Sequence, residues 1–356
     1  MKGRGAAENP ADRFTGLSLV PDAEGLAAAA AAAGDDESSG PATQFFADAS
    51  RSILSENDSP DLPFSVSVNP YRGCEHGCIY CYARPTHEWL GLSAGLDFET
   101  KILVKERAPE LLRAALMAPK WKPQVLVLSG VTDCYQPIER KLRITRRCLE
   151  VLAEFRNPTG IITKNALVVR DADVLRELAR HDAAMVLITI TTLDDELAAA
   201  LEPRASRPAK RLAAIGELAR AGIPTGVIVA PVIPGLTDHE IPAIVAAAAA
   251  AGATSASWQL LRLPFGVKDL FQTWLERHRP DRREKILGRI RELRGGGLND
   301  ARFGARMRGE GEWARQLEQL FQGAVARAGL GTRRCELSSK AFRRPGLQQG
   351  RLFGSA

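Results

Sequence analysis

Apolar and polar positions change their period along this chain. Phe64-Ser65-Val66-Ser67-Val68-Asn69 alternates with period two, the pattern of a strand with one buried face. Gln124 to Ser129 instead carries a solid apolar run, as expected of a strand covered on both faces. Gly160 to Lys164, Met185 to Thr191, Pro224 to Ala230 and Thr254 to Leu261 read as four more strands. Between them the period is helical. Cys148, Leu149, Leu152 and Phe155 share a face within Thr145 to Phe155, and Leu175 and Leu178 do so within Val174 to Arg180. Leu212, Ile215 and Leu218 form another stripe, for which Ser206 is the expected N-cap, Pro208 the first turn and Gly222 the stop. Glu240 to Ala251 is an alanine-rich helix closed by Gly252.

Strands alternating with helices imply βα units around a parallel sheet. Six such units over about 200 residues are fewer than the eight of a full barrel. The expected fold class is therefore α/β, a partial (β/α)6 barrel, with a doubly wound sheet also compatible with the pattern. Beyond about residue 265 the chain turns helical, basic and glycine-interrupted. The expected organisation is a disordered leader over 1–45, a core over 46–265, a basic helical region over 266–345 and a flexible tail over 346–356.

Composition changes this picture little. The chain has 356 residues, 45% hydrophobic and 25% charged, enough to build a core unaided. Six cysteines do not make a secreted disulfide scaffold. No apolar run approaches the roughly 20 residues that cross a bilayer, and Met1 to Asn9 lacks the apolar core of a signal peptide, so a cytoplasmic location is expected. Charge adds more. Residues 1–60 hold 4 lysines and arginines against 10 acids, whereas residues 276–356 hold 19 against 9. The net +6 thus conceals an acidic leader and a basic end, the latter an expected place for a polyanion such as nucleic acid. The competing reading is a solvated helical face.

Three of the six cysteines fall within eight residues, Cys74, Cys78 and Cys81, behind the first strand of the core. Loops at strand C-terminal ends carry the active sites of α/β barrels. Gly73 and Gly77 allow the backbone to fold tightly around a bound object. Three thiolates on one short loop suit a cubane iron–sulfur cluster that leaves one iron without a protein ligand. The alternatives are a zinc knuckle completed by His76 or His87, and inert buried thiols.

The C-x3-C-x2-C spacing, with Tyr80 before the third cysteine, resembles the radical S-adenosylmethionine (SAM) superfamily. Asn69-Pro70-Tyr71-Arg72-Gly73-Cys74 and Cys78-Ile79-Tyr80-Cys81-Tyr82-Ala83-Arg84 resemble its spore photoproduct lyase-like (DNA repair photolyase-like) branch, and within it the uncharacterised bacterial members. The resemblance runs from about Phe64 to Leu263. It implies a radical-SAM barrel with a [4Fe–4S] cluster held by Cys74, Cys78 and Cys81. It also implies SAM chelated to the fourth iron, reductive cleavage to a 5′-deoxyadenosyl radical, and an electron donor such as flavodoxin or ferredoxin. Tyr80 is expected at the adenine. Ser129, Gly130 and Asp133 stand where the superfamily holds the amino group of SAM, with either Asp133 or backbone carbonyls expected in place of a differently positioned acid. Lys164, Thr189, Thr191 and Thr192 are candidates for its ribose or carboxylate, Arg204 of Glu202-Pro203-Arg204 for the carboxylate, and Pro231 for the adenine wall. Leu261-Arg262-Leu263-Pro264 ends the sixth strand.

Cys134 is a candidate hydrogen-atom donor, against the plainer reading of a small buried residue. Cys148 belongs to a core stripe, and Cys335 has no assigned role. Arg282, Arg283, Lys285, Arg289, Arg291 and Arg294, then Arg302, Arg306, Arg308, Arg333, Arg334, Arg343 and Arg344, form the basic candidate surface. Gln349-x-x-Leu352-Phe353 is similar to the peptides that dock on a bacterial sliding clamp, although Gly350 stands where an apolar residue is usual. The expected function is a radical SAM enzyme acting on a nucleic-acid lesion or modified nucleotide. The alternatives are a radical SAM enzyme acting on a protein or small metabolite, and a non-catalytic zinc- or cluster-bearing nucleic-acid-binding protein.

Overall fold

The computed structural model describes residues 3–10, 13–14, 41–331 and 336–346. Cys335, Arg333, Arg334 and the clamp-like peptide lie outside the described residues.

Among the described residues ten strands form two sheets. The small sheet comprises β1 (Gln44–Ala47), β4 (Tyr71–Arg72) and β5 (Lys101–Val104), in the order β1-β5-β4. The large sheet begins at its edge with β2 (Leu54–Glu56), antiparallel to β3 (Val66–Val68). It continues through β6 (Leu126–Leu128), β7 (Thr159–Thr163), β8 (Ala184–Ile190), β9 (Thr225–Val232) and β10 (Ser255–Leu260), all parallel. Together with β3, these five are the six strands expected from the periodicity.

Their order advances in one direction without a reversal, so the sheet has no topological switch point and is not doubly wound. Right-handed crossovers in one direction lay every connecting helix on the same face. Side-chain parity follows. Val186 and Ile188 of β8, and Val227 and Val229 of β9, face the main core with Leu149, Leu175, Ile215 and Ile244 from the helices. Met185, Leu187, Ile228 and Ala230 alternate onto the opposite face. All seven residues of β8 are buried, as its unbroken apolar run requires. Within the described residues β10 and β2 are the two edges, and the sheet is open.

Helix Pro208–Arg220 starts one residue later than Ser206 suggested: its N-cap is Arg207, while Ser206 Oγ accepts from Ala166 N (2.9 Å) and donates to Asn165 Oδ1 (3.1 Å). Ser206 is drawn off to hold the loop after β7. Gly222 and Gly252 both take left-handed conformations (φ 75° and 108°) behind their helices, as expected.

The C-terminal region is integral to the fold. Helices Val267–His278 and Arg283–Leu293 build a second core with Cys78, Ile79, Tyr80, Leu197 and Leu201. Helix Gly311–Arg327 packs beside helix Ile241–Ala251, and its Phe321 meets Trp258 of β10. Leu337 lies against the non-helical face of the sheet. The leader expected over 1–45 is not uniform either. Residues 3–10 dock on the body, with Ala6 only 1% exposed, and Gln44–Ala47 is a strand. Among the described residues no helix is long and apolar enough to cross a membrane.

Candidate functional site

Between β3 and the cysteines the chain passes through β4, so the cysteine loop is pinned to the small sheet as well as to the large one. The loop is held chiefly through its backbone. Cys74 N donates to Phe98 O (2.9 Å), Glu75 N to Gln136 Oε1 (2.9 Å) and Ile79 N to Leu201 O (3.1 Å). Gln136 Nε2 returns a bond to Gly73 O (3.2 Å). Gly73 sits at φ 80°, where a Cβ would come within 2.9 Å of the His87 ring and 3.0 Å of Phe98 O; the close approach explains the glycine. The guanidinium of Arg84, fully buried, donates to Cys78 O (3.0 Å) and Gly77 O (3.3 Å) and pairs with Glu99.

Cys74, Cys78 and Cys81 all line one cavity of about 390 Å³ at the C-terminal end of the sheet, a size ordinary for a small-molecule site. Burial pushes all three thiols up, with Asp133 adding to the effect at Cys74 and Glu202 at Cys78. Lys164 opposes it at Cys78 and Cys81, and Arg84 at Cys81. Such thiols stay protonated at neutral pH unless a bound metal holds them as thiolates. Among the described residues no three Cys, His, Asp or Glu side chains are spaced to hold a single metal ion. Of the two histidines of the zinc alternative, His76 lines the cavity and His87 does not. His76 contacts Asp133 (3.3 Å) and Asn165 (3.1 Å), and His87 Nε2 meets Lys101 O (2.9 Å). A cubane differs from a single ion in that each thiolate meets a different iron, so three thiols spread over one cavity wall fit it.

Ser129, Gly130, Asp133, Lys164, Thr189 and Pro231 line the same cavity, as does Tyr80. Ser129 is left-handed (φ 71°), and its Oγ accepts from Cys134 N (2.7 Å), closing a tight turn over β6. Gly130 is confined: a Cβ there would meet Ser67 Cβ at 2.7 Å. Asp133 has both oxygens committed. They accept from Thr163 Oγ1 (2.8 Å), Lys164 N (2.8 Å) and Tyr135 N (2.9 Å), and one faces His76. Burial alone would raise its pKa, but His76 and these N–H donors pull it down to about 2. Asp133 therefore ties the ends of β6 and β7 together. Lys164 holds its ammonium 5.8 Å from the Tyr80 ring centre.

Four expected site residues stand back from the cavity lining. Thr191 Oγ1 lies 2.6 Å from Glu202 Oε1 and 2.8 Å from Ala230 O, sharing its one proton between them, and 3.1 Å from the Tyr80 hydroxyl, so it supports Tyr80 from behind. Arg204 is turned to Glu75 (3.1 Å) and Thr43 (3.1 Å). Cys134 is fully buried in the main core and absent from the lining, whereas its neighbour Asp133 lines the cavity. This placement matches the plainer reading of Cys134 as a small buried residue. Thr192 donates to Glu240 (2.6 Å) rather than facing the cavity.

The sequence reading missed several participants. Glu202 forms a fully buried ion pair with Arg211 and accepts from the Tyr80 hydroxyl. Nothing in the helical pattern around Arg211 marks it as more than a surface charge. Tyr82 follows Cys81 directly, a signal present but unused. It lines the outer cavity, donates to Gly130 O (2.9 Å) and stacks under Arg262, whose guanidinium lies 5.0 Å from its ring centre. Arg306 and Asp61 complete that wall and pair with each other at 2.5 Å.

Comparison with known proteins gives a consistent result. Residues 68–248 match the Radical SAM superfamily. An uncharacterised protein of Mycobacterium tuberculosis is 37% identical over 234 residues, covering 65% of this chain and 68% of its own. The fold is similar to spore photoproduct lyase complexed with dinucleoside spore photoproduct, with a TM-score of 0.58 at 16% identity over 80% of this chain and 79% of that one. A mutant of that lyase with bound AdoMet and dinucleoside spore photoproduct gives 0.56 at 17% identity, over 80% and 78%.

Proposed function

The chain belongs to the radical SAM superfamily, whose members use a [4Fe–4S] cluster and SAM, and from that premise we propose that Cys74, Cys78 and Cys81 each bind one iron of the cluster. The single observation that carries this reading is the convergence of the buried Cys74 and Cys78 and the half-buried Cys81 on one cavity. When bound, the cluster supplies one electron to SAM, breaking a carbon–sulfur bond to give methionine and a 5′-deoxyadenosyl radical.

The chain's own residues supply position and shelter. Ser129 and Gly130 form a tight turn beside the thiols, suited to the amino end of SAM. Tyr80, fixed by Glu202 and Thr191, presents its ring to the cavity as a wall for the adenine. Lys164 adds positive charge near the thiolates and toward a carboxylate. Ile228, Ala230 and Pro231 give an apolar floor that excludes water from a radical.

For the substrate, Arg262 supports an anion. It lines the cavity, burial lowers its pKa, and Asp61, the acid whose field it feels, is already bound to Arg306. A desolvated guanidinium without its own carboxylate is suited to phosphate. This favours a nucleotide or nucleic-acid lesion over an uncharged metabolite, with lyase-type DNA repair as the narrowest form of the proposal.

Anaerobic reconstitution with iron and sulfide tests the reading. We expect a brown, dithionite-bleachable protein with about four irons that forms 5′-deoxyadenosine from SAM. A colourless protein with one tightly held zinc would overturn it.

A further inference from the structure

The segment from Gly3 to Pro10 lies against the cysteine loop, and three of its polar contacts converge on Glu99. Gly5 N and Ala6 N donate to the two carboxylate oxygens of Glu99 (3.0 and 2.8 Å). Arg4 Nη1 donates to Glu99 O (3.0 Å), and its Nη2 to Thr43 Oγ1 (3.0 Å). Glu99 is fully buried and also pairs with Arg84, whose other donors hold the carbonyls of Gly77 and Cys78 in the loop and of Ala94 and Gly95 beside it. The segment thus reaches the cysteine loop through Glu99 and Arg84. It also touches the loop directly. A Cβ on Gly5 would sit 1.7 Å from Gly77 O, and a Cβ on Gly77 would sit 2.6 Å from Glu99 Oε2. The two backbones meet only because both positions are glycine. Ala6, almost wholly buried, joins Cys78, Ile79 and Tyr80 in the second core. Further along, Leu96 N donates to Glu8 O (3.2 Å), and Asn9 and Asp97 exchange two bonds.

We infer that residues 3–9 are a clasp that holds the cysteine loop in its iron-binding shape, with Arg4, Gly5, Glu99 and Arg84 as positioning residues. The inference rests on the proposed assignment of the cluster to that loop. Its physical basis is the buried Glu99 carboxylate. Two of its acceptor sites are filled by the clasp's amides, and a buried anion that loses such donors draws in water or shifts. Arg84 would follow Glu99, and with it the carbonyls that set the loop's curvature.

The test uses the full-length protein with Gly5→Ala, whose added methyl is aimed at Gly77 O, beside Gly288→Ala, where a Cβ meets nothing within 4 Å. Amide hydrogen exchange on the metal-free protein reads the clasp alone. We expect faster exchange in the peptide spanning 74–81, unchanged exchange in β8 and β9, and no change in the control. After anaerobic reconstitution, iron release to a chelator should be about tenfold faster in Gly5→Ala, in line with losing hydrogen bonds to a buried charge, and the reduced cluster's EPR signal should change shape. Should Gly5→Ala unfold globally, Arg4→Ala and Glu99→Gln take its place with the same readouts. Unchanged loop exchange, or faster exchange with unaltered iron release and EPR signal, would overturn the inference. A wild type that takes up no iron would sink the cluster assignment instead, and the exchange experiment would still decide whether the loop is clasped.

Discussion

Individual side chains set what the cavity can hold. Changing Cys74, Cys78 or Cys81 singly to Ser should abolish stable cluster assembly while leaving the fold intact, read by iron content and by far-UV circular dichroism. The fold is expected to survive because the loop is fixed by backbone bonds to Phe98, Gln136 and Leu201 rather than by the thiols. Gly130 is a different kind of residue, useful for what it lacks. Gly130→Ala drives a methyl into Ser67 and should cost about 1–3 kcal/mol of stability by urea unfolding. Arg262 faces the proposed substrate. Arg262→Ala should weaken binding of a short single-stranded oligonucleotide and lower the slope of log affinity against log salt by about one. An unaltered slope would separate Arg262 from phosphate.

Between elements, buried charge does the joining. Glu202 lies just after helix Asp195–Leu201, and Arg211 on helix Pro208–Arg220 meets it and donates to Thr189 O at 2.9 Å on β8. Burial by itself would raise the pKa of Glu202, but Arg211, Lys164 and Thr191 together hold it down to about 2. Its folded value lies below its unfolded value of about 4.3, so its stabilisation is complete above that pH and is lost as pH falls toward 2. Glu202→Gln should unfold about 3–5 kcal/mol more readily at neutral pH, since it leaves a buried guanidinium without its partner. Its melting temperature should then fall less steeply than that of the wild type between pH 4.5 and 2. A parallel decline in both proteins would mean that other carboxylates dominate acid unfolding.

At the scale of the whole molecule, the basic C-terminal region is mostly occupied with the protein itself. Arg294 is buried and donates to Leu261 O (2.6 Å), Ala305 O (2.6 Å) and Arg306 O (3.0 Å). Arg302 pairs with Asp300 and Glu310, Arg308 with Glu318, and Arg283 with Glu276 and Glu284. Arg343 and Arg344 donate to backbone carbonyls of Glu154, Leu116, Ala118 and Trp121. A charge already paired adds little to a polyanion's binding. Arg294→Ala should therefore lower the melting temperature by several degrees, as loss of a buried network does, and leave the salt dependence of oligonucleotide binding unchanged. If binding instead weakened with no loss of stability, that arginine would belong to a nucleic-acid surface.

Local chemistry written in the sequence carried the six parallel strands, the left-handed glycines behind two helices and the three cysteines of one loop. Periodicity and turn residues act between near neighbours, so they can be read without the fold. Which charges are paired could not be read, because partners such as Glu99 and Arg84, Glu202 and Arg211, or Asp61 and Arg306 meet only when the chain packs. The same holds for Cys134: its place at the C-terminal end of a strand suggested the cavity, and packing buries it in the main core. It holds again for residues 3–9, polar and glycine-rich by composition, whose structure comes from backbone donors directed at a carboxylate some ninety residues away. Sequence determined which chemistry is present; tertiary structure decided which side chains face the cavity and which hold it in shape, because burial and long-range pairing are properties of the packed chain.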